Sequence, residues 1–96
     1  MSSANTHVPT AHASRYLQQL CKHWSHKYAV EFTPENGRIP FDSGAVLIMD
    51  ADSEGLGLSL SAEADQLARM EEVVADHLKR FAFHEELQFD WVEAPA

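Results

Sequence analysis

The chain has 96 residues, which suits one domain with a hydrophobic core and excludes two independent domains. Hydrophobic residues make up 45% of it, and this fraction excludes a wholly disordered chain. Fifteen acidic residues against seven basic ones give a net charge of −8, which argues against binding to nucleic-acid phosphates or anionic membranes.

Cysteine usage and the first residues indicate a cytoplasmic protein. Cys21 is the single cysteine, so the chain forms no internal disulfide, and a lone thiol fits a reducing compartment. Residues 1–14 contain no Lys or Arg and no apolar core follows them, so no signal peptide is predicted. The longest strongly apolar run, residues 45–49, is too short to cross a membrane.

The first predicted elements are a flexible tail or weak edge strand over residues 1–9 and a helix over about residues 11–26. Thr10 is placed to cap this helix with its hydroxyl. Apolar side chains at spacings of three and four form one stripe, which predicts a helix with one face on the core. The stripe consists of Ala13, Tyr16, Leu17, Leu20, Cys21 and Trp24.

Four strands are predicted next, over residues 28–33, 38–41, 45–51 and 56–61, because apolar and polar residues alternate between turn-forming segments. Pro40 has no backbone N–H, so its strand is expected to lie at an edge or to end there.

A second helix is predicted over about residues 62–82, with Ser61 as its cap. Its apolar stripe consists of Leu67, Met70, Val74, Leu78 and Phe81. The alternation of Leu87, Phe89 and Trp91 with polar residues predicts a final strand.

These elements predict an α+β fold. Both helices cover one face of a mostly antiparallel sheet of four to six strands, in the order β-α-β4-α-β. The domain is expected over residues 10–93, with residues 94–96 as a C-terminal tail. The other face of the sheet carries Glu31 and Arg38 among small residues and is open to solvent or to a partner. Most aromatic residues, Phe83 included, are predicted to belong to the core.

Three histidines at the borders of the helical stripes are candidate metal ligands. His23 and His26 flank the stripe of the first helix, and His77 borders that of the second. If the helices pack side by side, three imidazoles would form a Zn²⁺ or Fe²⁺ site. The alternative is that these histidines bind no metal and hydrogen-bond locally at boundary positions.

No catalytic residue is assigned. Cys21 lies on the apolar stripe and is interpreted as a small buried side chain. The chain contains neither a glycine-rich phosphate loop nor the Gly-x-Ser-x-Gly turn of many hydrolases.

Three segments resemble a known family. They are ASRYLQQLCKHWSHK at residues 13–27, GRIPF at 37–41 and VVADHLKRFAF at 73–83, followed by Trp91 in the predicted last strand. Together they are similar to a bacterial domain family of unknown function, number 2218. The resemblance implies a β-α-β4-α sandwich. It also implies a link to iron acquisition, since related sequences occur beside or fused to siderophore-interacting ferric reductases.

Three functions are left open. The first is a non-enzymatic accessory or interaction module, linked to iron–siderophore handling and partnered by such a reductase or by a second copy of the chain. The second is a metal-binding module that uses the histidines of the two helices. The third is a small enzyme with a cleft between helices and sheet.

Overall fold

The computed structural model describes residues 2–82 and 84–94. The predictions that fell on Met1, Phe83, Pro95 and Ala96 lie outside the described residues. In chain order the elements are β1 (Ser2–Pro9), α1 (Ala13–Trp24), β2 (Glu31–Phe32), β3 (Asn36–Pro40), β4 (Val46–Ala51), β5 (Gly55–Ala62), α2 (Leu67–Phe81) and β6 (Val92–Ala94).

The strands form one six-stranded sheet in the order β2-β3-β4-β5-β1-β6. Every neighbouring pair is antiparallel. Helix α1 contacts β3, β4 and β5, and helix α2 contacts β5 and β1, so the two helices share one face of the sheet. This arrangement confirms the predicted α+β sandwich. Neither described helix is long and apolar enough to cross a membrane.

The first strand corrects the prediction for residues 1–9. Ser2–Pro9 is an eight-residue strand that pairs with β5 on one side and β6 on the other, so it is neither a tail nor an edge strand. Ala4, Thr6 and Val8 point to the core and are buried, and the residues between them are more exposed. The sequence signal is weak because two of these three inward side chains are small or polar.

Helix α1 packs as its sequence predicts, and all six residues of its stripe are buried. It begins two residues later than expected. The hydroxyl of Thr10 accepts a hydrogen bond from the backbone N–H of His12 at 3.1 Å, and His12 itself occupies the capping position. Thr10 therefore supports the turn before the helix and does not cap it.

Helix α2 begins at Leu67, five residues later than predicted. The alternation of Leu56, Leu58 and Leu60 continues through Ala62, so β5 extends into the segment assigned to the helix. Ser61 consequently lies within a strand and does not cap α2. The N–H of Gln66 donates to the carbonyl of Glu63 at 2.9 Å in the turn between the two elements.

Two other strands also differ from prediction. The strand expected over residues 28–33 shortens to Glu31–Phe32, and the final strand moves from residues 87–91 to Val92–Ala94. Leu87 is buried, and Phe89 and Trp91 pack half-buried against the core without joining the sheet. Their alternation reflects contact with the core and not ladder pairing.

The sheet face remote from the helices is mostly exposed and carries polar residues together with the apolar Ile48 and Val92. Its central row runs across five strands through Glu31, Arg38, Ile48, Ser59 and Asn5. The prediction for Pro40 holds, since it is the last residue of β3. The core thus lies on the other face, between the sheet and the two helices.

Candidate functional site

Two of the three candidate histidines meet between the helices. His23 lies in the last turn of α1, and its ring centroid is 5.3 Å from that of His77 on α2, with the ring planes inclined by 51°. His26 lies two residues beyond the end of α1 and is exposed. Helix α1 ends at Trp24, so His26 lies in the turn that follows the helix.

The structure brings together two of the three histidines predicted as metal ligands, and the three-histidine metal site stays a prediction. Among residues 2–82 and 84–94, no three His, Cys, Asp or Glu side chains are grouped so that they could hold a metal ion. His23 and His77 alone supply two ligands, whereas protein zinc sites use three or four.

The orientation of His77 is fixed by its own helix. Its Nδ1 lies 2.8 Å from the backbone carbonyl oxygen of Val73, one turn earlier. A carbonyl oxygen only accepts hydrogen bonds, so Nδ1 carries the proton and donates it. In the neutral imidazole the lone pair then belongs to Nε2, which is left as an acceptor, a base or a ligand.

These histidines border a cleft of about 710 Å³, which we call the aromatic cleft. It lies between the end of α1, one side of α2 and the loop that joins β3 to β4. Its lining consists of His23, Trp24, Lys27, Tyr28, Phe41, Asp42, Ser43, Met70, Val73 and His77.

Rings in mutual contact form the floor of the aromatic cleft. The Trp24 centroid lies 4.7 Å from that of His77 and 5.0 Å from that of Phe41, the latter pair edge to face. Tyr28 meets Phe41 edge to face at 5.1 Å. Trp24 is 7% exposed and Phe41 8%, so the floor is held by the core and is already in place before any ligand arrives.

The loop between β3 and β4 supplies the polar wall. Gly44 has φ 89°, a conformation that other residues rarely adopt, and its N–H donates to the carbonyl of Phe41 at 3.1 Å. This tight turn places Asp42 and Ser43, both exposed, at the mouth of the aromatic cleft.

Lys27 gives the aromatic cleft a positive charge. Its Nζ lies 5.6 Å from the centroid of the Tyr28 ring, a cation–π contact. Within the described part of the chain no carboxylate lies within ion-pair distance of this ammonium group. A chain with a net charge of −8 therefore presents a cation without a carboxylate partner among the described residues beside the half-buried ring of Tyr28.

The sequence identifies His23 and His77 but not the rest of the aromatic cleft. The apolar pattern of the sequence assigns Trp24 and Phe41 to the core, and both are buried. The pattern does not identify Lys27 or Tyr28 as residues of a site. A signal is present, since Tyr28 follows Trp24 by four residues. It points to a site only once the loop with Phe41 is known to close over the end of α1.

Two further polar clusters lie outside the aromatic cleft. At the start of α1, the Tyr16 hydroxyl and the Thr10 hydroxyl both donate to Oε2 of Glu85. Burial and the neighbouring Glu85 raise the pKa of Tyr16. On the far side of the sheet, His7 Nε2 lies 3.0 Å from Asp52 Oδ2.

Cys21 is fully buried, as its place on the stripe predicts. Burial raises the pKa of its thiol to about 11, so the unreactive protonated form dominates at neutral pH. This thiol therefore belongs to the packing of α1 and not to a reactive site.

The fold and the aromatic cleft define a class of protein: a small α+β sandwich with a mixed aromatic and basic cleft between its two helices and one loop. The chain belongs to the bacterial family described as an uncharacterized protein conserved in bacteria, DUF2218, whose model matches residues 5–92. The family resemblance seen in the sequence is thereby confirmed.

A solved structure supports the same assignment. The chain is similar to PA4090 from Pseudomonas aeruginosa, whose structure was determined by NMR, with 42% sequence identity over 96% of each chain and a TM-score of 0.79. A comparison with curated proteins finds no match.

Proposed function

We propose that this protein is a non-catalytic binding module, that the aromatic cleft is its ligand site, and that it serves the handling of iron–siderophore complexes. One observation carries the first two parts of the proposal. A preformed floor of Trp24, Phe41 and Tyr28 lies beneath a cleft of about 710 Å³. Ligand sites of small molecules are typically apolar clefts of this size, with a few polar groups that orient the ligand.

The polar groups of the cleft favour binding over catalysis. A histidine that activates a nucleophile needs a hydroxyl or thiol within hydrogen-bonding reach. Among the described residues, neither His23 nor His77 makes such a contact, and the one hydrogen bond of His77 goes to a backbone carbonyl. The imidazoles thus resemble recognition groups more than a catalytic pair.

The link to iron–siderophore handling rests on the family resemblance of residues 13–27 and 73–83. Related sequences that occur beside or fused to siderophore-interacting reductases would place a small ligand-binding module next to an enzyme that acts on ferric chelates. Such a module would hold a chelator, or a fragment of one, while the reductase acts.

Filling the cleft tests the proposal directly. Ser43 is exposed at its mouth, so Ser43→Trp is expected to occupy the cleft without disturbing the core. Ser53 lies exposed in the turn between β4 and β5, and Ser53→Trp serves as the matched control. We expect binding of small aromatic compounds, followed by amide NMR shifts of the cleft residues, to disappear in the first variant only.

The biological part has its own test. In the native host, deletion of the gene is expected to slow the release of iron from a ferric siderophore. The wild type and Ser53→Trp should restore the rate, whereas Ser43→Trp should not. Unchanged iron release in the deletion strain would refute the siderophore link and leave the binding site untouched.

A further inference from the structure

We infer that the aromatic cleft binds a planar aromatic carboxylate, with the ring against the aromatic floor and the carboxylate toward Lys27 and His77. The inference rests on the proposed function, because it names the ligand class of the same cleft. Two properties of the lining carry it, namely the geometry of the rings and the distribution of charge.

The rings offer faces and edges to a flat guest. Trp24 and Phe41 are edge to face at 84° with centroids 5.0 Å apart and are nearly buried, so a guest ring would lie over this pair and beside the half-buried ring of Tyr28. Tyr28 repeats this geometry on the other side of Phe41, at 73°. Met70 and Val73 on α2 close the wall with aliphatic surface. Two or three such ring contacts favour an aromatic guest over an aliphatic guest of equal size.

The charges favour an anionic group. Lys27, His23 and His77 lie around the cleft, and Lys27 contributes a positive charge to it. Asp42 is the carboxylate in the lining, and it is exposed on the loop. Because the chain as a whole carries −8, an anion is repelled from most of the surface, and Lys27 lowers that repulsion at the cleft, where it offsets the charge of Asp42.

Lys27 and His77 suit a carboxylate in complementary ways. The Lys27 ammonium lies on the Tyr28 side of the cleft, where its position above the ring keeps it near an aromatic guest. His77 has its Nδ1 proton committed to Val73, so it donates to a carboxylate through Nε2 in the doubly protonated form of the ring. A neutral alcohol on the same ring could hydrogen-bond to Nε2 of His77 but would not neutralise the charge of Lys27.

Three probes separate the contributions of ring and charge. We would titrate the protein with 2-naphthoate, with 2-naphthylmethanol, which keeps the ring but lacks the charge, and with cyclohexanecarboxylate, which keeps the charge but lacks the aromatic ring. Amide NMR shifts locate the binding and give the dissociation constant. We expect 2-naphthoate to bind roughly tenfold more tightly than either control, a factor that corresponds to ~1.4 kcal/mol.

A charge-neutral variant completes the test. Lys27→Gln is expected to weaken 2-naphthoate binding roughly tenfold and to leave 2-naphthylmethanol binding unchanged, because the ammonium group attracts only the charged probe. Lys22→Gln, an exposed position on α1 outside the lining, should alter neither. Added salt should weaken 2-naphthoate binding to the wild type more than to Lys27→Gln.

The outcomes distinguish the two proposals. If 2-naphthylmethanol binds in the cleft as tightly as 2-naphthoate, or if Lys27→Gln has no effect, the carboxylate inference is wrong and the binding module stands. If none of the three probes shifts the cleft residues at millimolar concentration, the cleft is not a ligand site and both proposals fail.

Discussion

Gly37 lies where β3 passes beneath α1, and the packing there leaves no room for a side chain. A Cβ at this position would lie 2.8 Å from Sγ of Cys21 and 3.4 Å from Cδ2 of Leu17 and Cε of Met49. We expect Gly37→Ala to lower the free energy of unfolding by about 1–3 kcal/mol, because overpacking forces neighbours off their preferred positions. Urea denaturation followed by circular dichroism measures the change.

The sulfur of Cys21 makes this prediction specific. Cys21→Ala removes the atom that the new Cβ would meet, so the double variant Gly37→Ala/Cys21→Ala should lose less stability than the sum of the two single changes. If the two losses of unfolding free energy simply add, the new Cβ at position 37 does not clash with the sulfur of Cys21.

The Tyr16 hydroxyl supports a second prediction. It donates to the Glu85 carboxylate, as does the hydroxyl of Thr10, and the segment after α2 is thereby tied to the start of α1. We expect Tyr16→Phe to cost about 1–2 kcal/mol of unfolding free energy, since the carboxylate loses one of two donors in a partly buried site. Thermal unfolding by calorimetry reports the loss.

Tyr28→Phe is the matched control for this change. Its hydroxyl has no hydrogen bond within the described residues, and its ring contacts with Phe41 remain in the variant. An equal loss of stability in the two variants would mean that the loss comes from the changed hydration of the hydroxyl group and not from the hydrogen bond to Glu85.

For single residues, the sequence predicts burial well and the site incompletely. The stripe of α1 follows from its spacing alone because each residue of a helix has a fixed direction. The approach of His77 to His23 is a predicted consequence of side-by-side helices. The contribution of Phe41 is not predicted, because a loop from the opposite layer brings it to Trp24, and no spacing along the chain records that contact.

Among the elements, the spacing of apolar residues predicts every described helix and most strands. It fails where the alternation of a strand runs directly into the spacing of a helix. Ala62 fits both the alternation of β5 and the start of a helix, and the structure assigns it to the strand. Phe89 and Trp91 alternate like strand residues but pair with no neighbour in the described sheet. In both places the outcome depends on which partner strand lies alongside, and that is a property of the fold and not of the segment.

Besides its pairing with β1, β6 approaches α2 through two carboxyl groups. Glu71 on α2 and Glu93 in β6 lie within hydrogen-bonding reach, and burial together with this neighbour raises the pKa of Glu71 to about 7. Two carboxyl groups hydrogen-bond only when they share a proton. A protonated Glu71 thus adds an attraction between α2 and β6 to the pairing of β6 with β1, and this attraction becomes a repulsion when both groups ionise.

This pair makes stability depend on pH in a defined direction. In the unfolded chain Glu71 loses its proton near pH 4.5, and in the folded protein near 7, so the folded state binds the extra proton between these values. The free energy of unfolding should fall as the pH rises from about 4.5 to 7 and then level off. Because the pair is partly exposed to solvent, we expect a change on the order of 1 kcal/mol.

Glu71→Gln should flatten this dependence, since its amide keeps the shape of the protonated acid and has no proton to lose. Glu72→Gln, an adjacent and exposed change on the same helix, should leave it in place. Urea unfolding at pH 5 and pH 8 compares the three proteins. Parallel pH profiles for wild type and Glu71→Gln would contradict the assignment of the effect to this pair.

For the molecule as a whole, the two ends of the described chain lie on neighbouring strands. Ser3 in β1 pairs with Ala94 in β6, and paired residues of antiparallel strands have Cα atoms about 4.5–5.5 Å apart. A short glycine-rich linker would therefore join the ends without strain. The exposed turn of residues 63–66, between β5 and α2, is a suitable place to open the chain instead.

We expect such a circular permutant, opened between Ala64 and Asp65, to unfold cooperatively and to retain the amide NMR pattern of the sheet. A second permutant, opened between Leu58 and Ser59 inside β5, should fail to fold, because β5 pairs with both β4 and β1. Folding of both permutants, or of neither, would contradict the central position of β5 in the sheet.

The position of β1 has a consequence for synthesis on the ribosome. This strand leaves the exit tunnel before the rest of the sheet, yet its main partner, β5, ends at Ala62. At about 5–20 residues per second, β1 waits roughly 3–10 s with its backbone groups unpaired. The inward side chains of this strand are Ala4, Thr6 and Val8. Small and weakly apolar side chains suit a nascent segment that must stay free of other chains until its partner emerges.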